Sequence, residues 1–133
     1  SLDLGDVQFE RRTYAPREAY AQSKQAERML TWALDRRLDG TRVYANAIHP
    51  GSVDTAMPRG GGGLERAVVD LYFRFFGKTP AQGADTAVWV AASDECSLSH
   101  GNFYANRKII RCRFRDEAKE EALWSLCEKM VGA

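Results

Sequence analysis

Residues 17–38 and 41–51 read REAYAQSKQAERMLTWALDRRL and TRVYANAIHPG, and these two stretches decide the fold. The first is rich in helix formers, and its apolar residues return every three or four positions, which predicts a helix with one packed face. That face would carry Ala19, Ala26, Leu30, Ala33 and Leu34. The second stretch has a β-prone run at 43–48 that Pro50 and Gly51 interrupt, which predicts a strand ending in a loop.

Three further helices are predicted downstream, at residues 64–76, 80–93 and 116–130. Thr79, Pro80 and Gln82 form the sequence signature of a capping box, so the second of these helices has a well-marked start. Residues 102–105 predict one more short strand. Two short strands cannot form a self-sufficient sheet against four helices. We therefore expect an α/β fold in which the chain is the C-terminal part of a larger domain.

The bulk composition argues against several classes of protein. The 133 residues carry a formal net charge of +1, which gives no argument for a nucleic-acid partner. The three cysteines are widely spaced and lack a CxxC pair, so a zinc site or a disulfide framework is not expected. No apolar run approaches the ~20 residues of a membrane span, and no signal-peptide pattern is present. These features favour an intracellular protein, either cytoplasmic or associated with a membrane.

Tyr20 and Lys24 stand four residues apart, which is about one helical turn, so their side chains share one face of the helix. A free phenol is a poor base at neutral pH, and a neighbouring ammonium favours its ionised form. Such a pair can pass a proton to or from an alcohol oxygen. On spacing alone, a surface tyrosine beside a solvated lysine is the simpler interpretation.

The segment HPGSVDT, residues 49–55, follows the predicted strand. Loops at the carboxyl ends of parallel strands bind ligands in open α/β folds. Gly51 would let the backbone approach a flat ligand closely. The amide and carbonyl of Val53 and the hydroxyl of Thr55 could then bind a carboxamide.

The two motifs in this order, AYAQSK and then NAIHPGSVDT, resemble the short-chain dehydrogenase/reductase family. The segments TPAQGADTAVWVAAS, HGNFYANRK and ALWSLCEKMVG are similar to its retinol-dehydrogenase-like and WW-domain-oxidoreductase-like branch. The resemblance covers nearly the whole chain. It implies that residues 1–133 are the C-terminal portion of one Rossmann-type domain, a doubly wound parallel sheet that is incomplete at its N-terminus.

The resemblance also implies roles for individual residues. Tyr20 would be the catalytic acid and base, and Lys24 would assist it and hold the ribose hydroxyls of a nicotinamide cofactor. Tyr20 is also expected to contact that cofactor. The reaction would interconvert an alcohol and a carbonyl on a small apolar substrate.

The loop after the strand would bind the same cofactor, which is NAD or NADP, with NADP favoured by the resemblance. Pro50 and Gly51 would shape the loop. The Val53 backbone and Thr55 would bind the carboxamide of the nicotinamide.

Several parts of the family pattern are missing from this sequence. The glycine-rich turn that binds the cofactor pyrophosphate is absent, as are the family's catalytic serine and asparagine; the glycines at 60–63 are typical of a flexible linker. The chain alone is therefore expected to be inactive, and an inactive truncated fragment or interaction module is the alternative function. Residues 64–76 would wall a substrate pocket; contact with a membrane surface is a second interpretation, and a homo-oligomer is left open.

Overall fold

The structure is a computed structural model that describes residues 2–54 and 63–132. Its elements are α1 (Pro16–Arg37), β1 (Ala47–His49), α2 (Gly63–Phe76), α3 (Pro80–Ala92), a 3-10 turn (Asp94–Cys96), β2 (Phe103–Ala105), β3 (Lys108–Ile109) and α4 (Glu117–Val131). The strands form one sheet in the order β1-β2-β3. All four predicted helices are confirmed to within one residue at each end, and so is the mixed α/β class.

The chain divides into two compact units. The first contains Ser1–Ala47, Ser99–Phe103 and Arg111–Ala133, and the second contains Ile48–Leu98 and Tyr104–Ile110.

The core of the first unit lies between α1 and α4. It is built from Met29, Trp32, Ala47, Phe103 and Leu123, which are all buried. The face of α1 that packs is rotated from the predicted one, since Leu34 remains 40% exposed while Gln22 and Gln25 are buried. The two glutamines can be buried because their amides are bonded: Gln25 accepts a hydrogen bond from the Leu2 amide at 3.0 Å.

Ion pairs join α1 to α4 at the edge of this core. Arg36 bonds both Glu120 and Glu121, and Arg37 bonds Glu121 and lies 4.2 Å above the Trp124 ring. Hydrogen bonds from Arg37 and Arg36 lower the pKa of Glu121 to about 2. Glu120 is completely buried, so removing Arg36 would leave an uncompensated charge in the interior.

In the second unit, α3 begins with the predicted capping box. The Thr79 hydroxyl accepts a hydrogen bond from the Gln82 amide at 3.2 Å, and the Gln82 side chain accepts one from the Thr79 amide at 2.9 Å. These two bonds satisfy backbone donors that a helix start would otherwise leave open. The prediction made from these residues is confirmed.

The second unit also contains an unpredicted hairpin. Strands β2 and β3 pair antiparallel, with Tyr104 opposite Ile109 and Ala105 opposite Lys108. Asn106 and Arg107 make the turn with φ of 51° and 57°, the left-handed pair of values that a two-residue hairpin requires. No strand was predicted at residues 108–109, so this antiparallel pair adds one strand to those predicted.

The predicted strand at 43–48 is wrong in its extent, because the observed strand is Ala47–His49. Two backbone amides before this strand donate to side chains and not to a neighbouring strand. The Val43 amide donates to the Thr41 hydroxyl at 3.1 Å, and the Ala45 amide donates to Asp35 at 3.2 Å. Such local bonds compete with strand pairing, which explains why the ladder begins later.

Candidate active site

Tyr20 and Lys24 lie together on the solvent side of α1, as their spacing predicts. The Tyr20 side chain is 57% exposed, and the Lys24 ammonium lies 5.9 Å from the centre of its ring. The same ammonium is held by both carboxylate oxygens of Glu27 at 2.8 Å. The Ser23 hydroxyl donates to the Tyr20 carbonyl at 2.8 Å, so this serine bonds the helix backbone.

The opposite face of α1 fixes the position of this pair. Met29 and Trp32 are 1% exposed, so the helix is anchored on the side away from Tyr20. Pro16 begins the helix four residues before Tyr20, where its fixed φ suits the first turn. The Tyr20 phenol is therefore open to solvent and carried on a helix whose other face is packed.

The lead-in before α1 is also held in place. Asp6 accepts hydrogen bonds from the amides of Glu10, Arg11 and Arg12. Burial raises the pKa of Asp6, but these three bonds outweigh it and lower the pKa below its ordinary value. The Arg12 guanidinium in turn bonds Glu18 in the first turn of α1, at 3.0 Å.

The loop that follows β1 has a specific backbone shape. Gly51 has φ of +86°, a value that residues with a Cβ rarely adopt, and its amide donates to His49 Nδ1 at 2.7 Å. The Pro50 carbonyl accepts a hydrogen bond from the Lys78 ammonium at 3.3 Å. Pro50 and Gly51 therefore shape this loop.

A short parallel bridge holds the next residues of the loop. The Lys78 amide donates to the Ser52 carbonyl at 2.8 Å, and the Asp54 amide donates to the Lys78 carbonyl at 2.9 Å. These two bonds flank Val53. In this pairing the amide and carbonyl of Val53 itself point to the opposite edge, because successive residues of an extended chain alternate their bonding direction.

Gly83 in the first turns of α3 determines how closely that helix approaches Val53. A Cβ added at Gly83 would lie 2.5 Å from Val53 Cγ2, well inside contact distance. The glycine therefore seats the Val53 side chain against α3. Our sequence reasoning missed Gly83, although an isolated glycine within a helical pattern is a signal of close backbone packing.

The structure thus places the sequence-predicted residues in two groups. Tyr20 and Lys24 come together in the first unit, and Pro50, Gly51 and Val53 come together in the second. Thr55 lies outside the described residues.

The apolar face of α2, which was expected to wall a substrate pocket, has described side chains that are 51–73% exposed. They are Val68, Leu71, Tyr72, Phe75 and Phe76. Among the residues that the structure describes, none of the helices combines the length and apolarity that a bilayer crossing requires.

No family model matches the sequence. Human retinol dehydrogenase 14 is 33% identical over 136 residues, which cover 96% of this chain and 40% of that protein. Human polyprenol dehydrogenase is 31% identical over 135 residues, covering 98% of the chain and 41% of that protein. The predicted resemblance to the short-chain dehydrogenase/reductase family is confirmed. The chain spans about 40% of the length of these curated relatives.

The fold is similar to a solved structure of an uncharacterised protein from Mycobacterium Paratuberculosis. It superposes with a TM-score of 0.70 at 27% identity, over 100% of this chain and 46% of that one. The chain therefore follows the same course as part of that protein.

Proposed function

We propose that this chain is the C-terminal part of a Rossmann-type, NAD(P)-dependent oxidoreductase domain that interconverts an alcohol and a carbonyl. The observation that carries the proposal is the exposed Tyr20 beside Lys24 on an anchored helix. A shaped backbone loop follows it at residues 50–54. The names of the relatives, retinol dehydrogenase and polyprenol dehydrogenase, support the same chemistry.

Tyr20 would move the proton. In the reducing direction its phenol donates a proton to the carbonyl oxygen of the substrate; in the oxidising direction the phenolate removes the proton of the alcohol. The Lys24 ammonium lies 5.9 Å from the centre of the Tyr20 ring, close enough to interact with the substrate oxygen and the phenol during the transfer. The nicotinamide, when bound, supplies or accepts the hydride.

The residues of the loop fit a nicotinamide by the chemistry of their backbone. Val53 offers one donor and one acceptor outside the bridge to Lys78, and a primary carboxamide needs that pair. Gly51 adds no side chain that would obstruct a flat ring. Thr55 would supply a further hydroxyl, and Lys24 would bond the ribose hydroxyls after leaving Glu27.

The substrate would be a small apolar alcohol or carbonyl compound. The exposed apolar face of α2 supplies surface for such a molecule. Two relatives are named for apolar alcohols, retinol and polyprenol. NADP is the favoured cofactor.

The test is a turnover assay on the protein that carries this chain. We expect NADPH-dependent reduction of all-trans-retinal, a representative apolar aldehyde, measured as the retinol formed after chromatographic separation from retinal. A titration of NADH and NADPH accompanies the assay. Absence of both cofactor binding and turnover with a panel of apolar aldehydes and ketones would contradict the proposal.

The second candidate is a catalytically inactive fragment or interaction module. It is favoured by one observation, the exposed aromatic face of α2, which would suit a protein partner. This candidate would be supported if the protein binds NADH or NADPH without turnover, and if changing Tyr20 leaves that binding unaltered.

A further inference from the structure

Lys78 holds the loop at residues 50–54 with both its backbone and its side chain. Its amide and carbonyl form the bridge to Ser52 and Asp54. Its ammonium donates to the Pro50 carbonyl at 3.3 Å and to Asn106 Oδ1 at 2.6 Å. One residue thus fixes the loop at three points.

Asn106, the second acceptor for this ammonium, is itself held firmly. It lies in the β2–β3 turn, where the neighbouring Arg107 amide donates to the buried Thr86 hydroxyl at 3.2 Å. The Arg107 guanidinium bonds Asp85, with Nε at 2.8 Å from the carboxylate. The turn is therefore anchored on α3, and the Lys78 ammonium connects the loop to this turn by bonding both Pro50 and Asn106.

The bond from Lys78 to Pro50 acts on the peptide unit that precedes Gly51. Orienting the Pro50 carbonyl toward the ammonium limits rotation of that unit, and rotation there would change the direction of the following residues, including Val53. A charged donor makes a stronger bond to a carbonyl than a neutral donor does. Lys78 is therefore suited to keep a flexible glycine loop in one shape.

We propose that Lys78 is a positioning residue for nicotinamide binding, clamping the 50–54 loop so that the Val53 backbone is presented to the carboxamide. This inference rests on the proposed function. Lys78 does not contact the reacting atoms in this scheme, and its effect passes through Pro50 and Val53.

The experiment compares two ligands on the protein that carries this chain. NADPH contains the nicotinamide, and 2′-phospho-ADP-ribose lacks it; NADH and ADP-ribose form the equivalent pair. Lys78→Met keeps most of the side-chain stem and removes the ammonium. We expect it to weaken the dinucleotide about tenfold, the scale of one charge-assisted bond, and to leave the ligand without nicotinamide unchanged.

Three further variants separate an effect on positioning from an effect on stability. Lys119→Met removes an exposed lysine of α4 whose ion pair is with Asp116, so the ratio of the affinities for NADPH and 2′-phospho-ADP-ribose should stay at the wild-type value. Asn106→Gly removes the acceptor while tolerating the left-handed φ, and should shift the ratio in the direction of Lys78→Met. Asn106→Asp keeps an acceptor for the Lys78 ammonium, so the affinity ratio should stay close to the wild-type value.

Thermal unfolding of each variant is measured beside the titrations. Equal weakening of both ligands by Lys78→Met, or weakening of neither, would overturn the inference. A failure of the proposed function appears earlier and separately, as a wild-type protein that binds neither dinucleotide.

Discussion

The helix that carries Tyr20 and the loop at residues 50–54 differ in the groups that the proposed function assigns to them. On α1 these groups are side chains, which are exposed while the opposite face of the helix is buried. In the loop they are backbone groups, whose direction depends on neighbours such as Lys78 and Gly83. A group on a side chain is removed by substituting that residue. A backbone group survives such a substitution, and it is affected mainly by substituting the neighbours that orient it.

The largest effect on the helix should come from its inner face. Trp32→Ala removes a 1% exposed indole from the core of the first unit, and we expect it to lower the free energy of unfolding by about 3–5 kcal/mol. Chemical denaturation measures this change. As a control, Thr31→Ala on the solvent side of the same helix should change it by less than about 1 kcal/mol. Equal effects would contradict the division into inner and outer faces.

A substitution on the exposed face of α1 should lower activity and hardly change stability. Lys24→Met removes the ammonium beside Tyr20, and we expect turnover to fall by about a hundredfold or more, because proton transfer loses its charged neighbour. The melting temperature should stay close to that of the wild type, since the Lys24–Glu27 pair is exposed. Unchanged turnover would remove Lys24 from the mechanism.

The loop should be vulnerable to a change on a neighbouring helix. Gly83→Ala places a Cβ 2.5 Å from Val53 Cγ2, so Val53 must move. We expect a loss of about 1 kcal/mol in unfolding free energy, since overpacking outweighs the gain in helix propensity, and weaker NADPH binding. The double variant Gly83→Ala/Val53→Ala removes the contact and should recover most of both losses. An additive double variant would indicate that the two residues act independently.

The smallest effect, which is on stability, should come from the ion pairs that Glu121 on α4 makes with Arg36 and Arg37 on α1. The pKa of Glu121 is about 2 in the folded protein against an ordinary 4.5, so the unfolded chain binds its proton first as the pH falls. Its contribution to stability is fully present above pH 4.5 and is lost as the pH falls toward 2. The difference in stability between wild type and Glu121→Gln should shrink over that interval. A difference independent of pH would contradict this role for the carboxylate.

Local sequence signals predicted much of the fold. The capping box at Thr79 and Gln82 requires only four adjacent residues, and it forms as expected. The helices α1 and α4 follow from their composition and apolar spacing. The helical spacing of Tyr20 and Lys24 is equally local, so their shared face was predictable too.

Features that depend on distant partners were not predictable in this way. Gln25 is buried because the Leu2 amide, 23 residues away, satisfies it. Strand β3 exists through its pairing with β2 across a turn whose Arg107 has an unusual left-handed φ. The roles of Gly83 and Lys78 also required the three-dimensional positions of the loop, since the sequence does not show which residues either of them contacts.

The most direct test of the central claim is Tyr20→Phe in the protein that carries this chain, with turnover and NADPH binding measured on the same preparation. Phenylalanine keeps the ring and removes only the hydroxyl that would carry the proton. We expect turnover to fall by about a hundredfold or more, with the dissociation constant for NADPH within about threefold of wild type. Turnover that survives the change would contradict the assignment of Tyr20 as the acid and base.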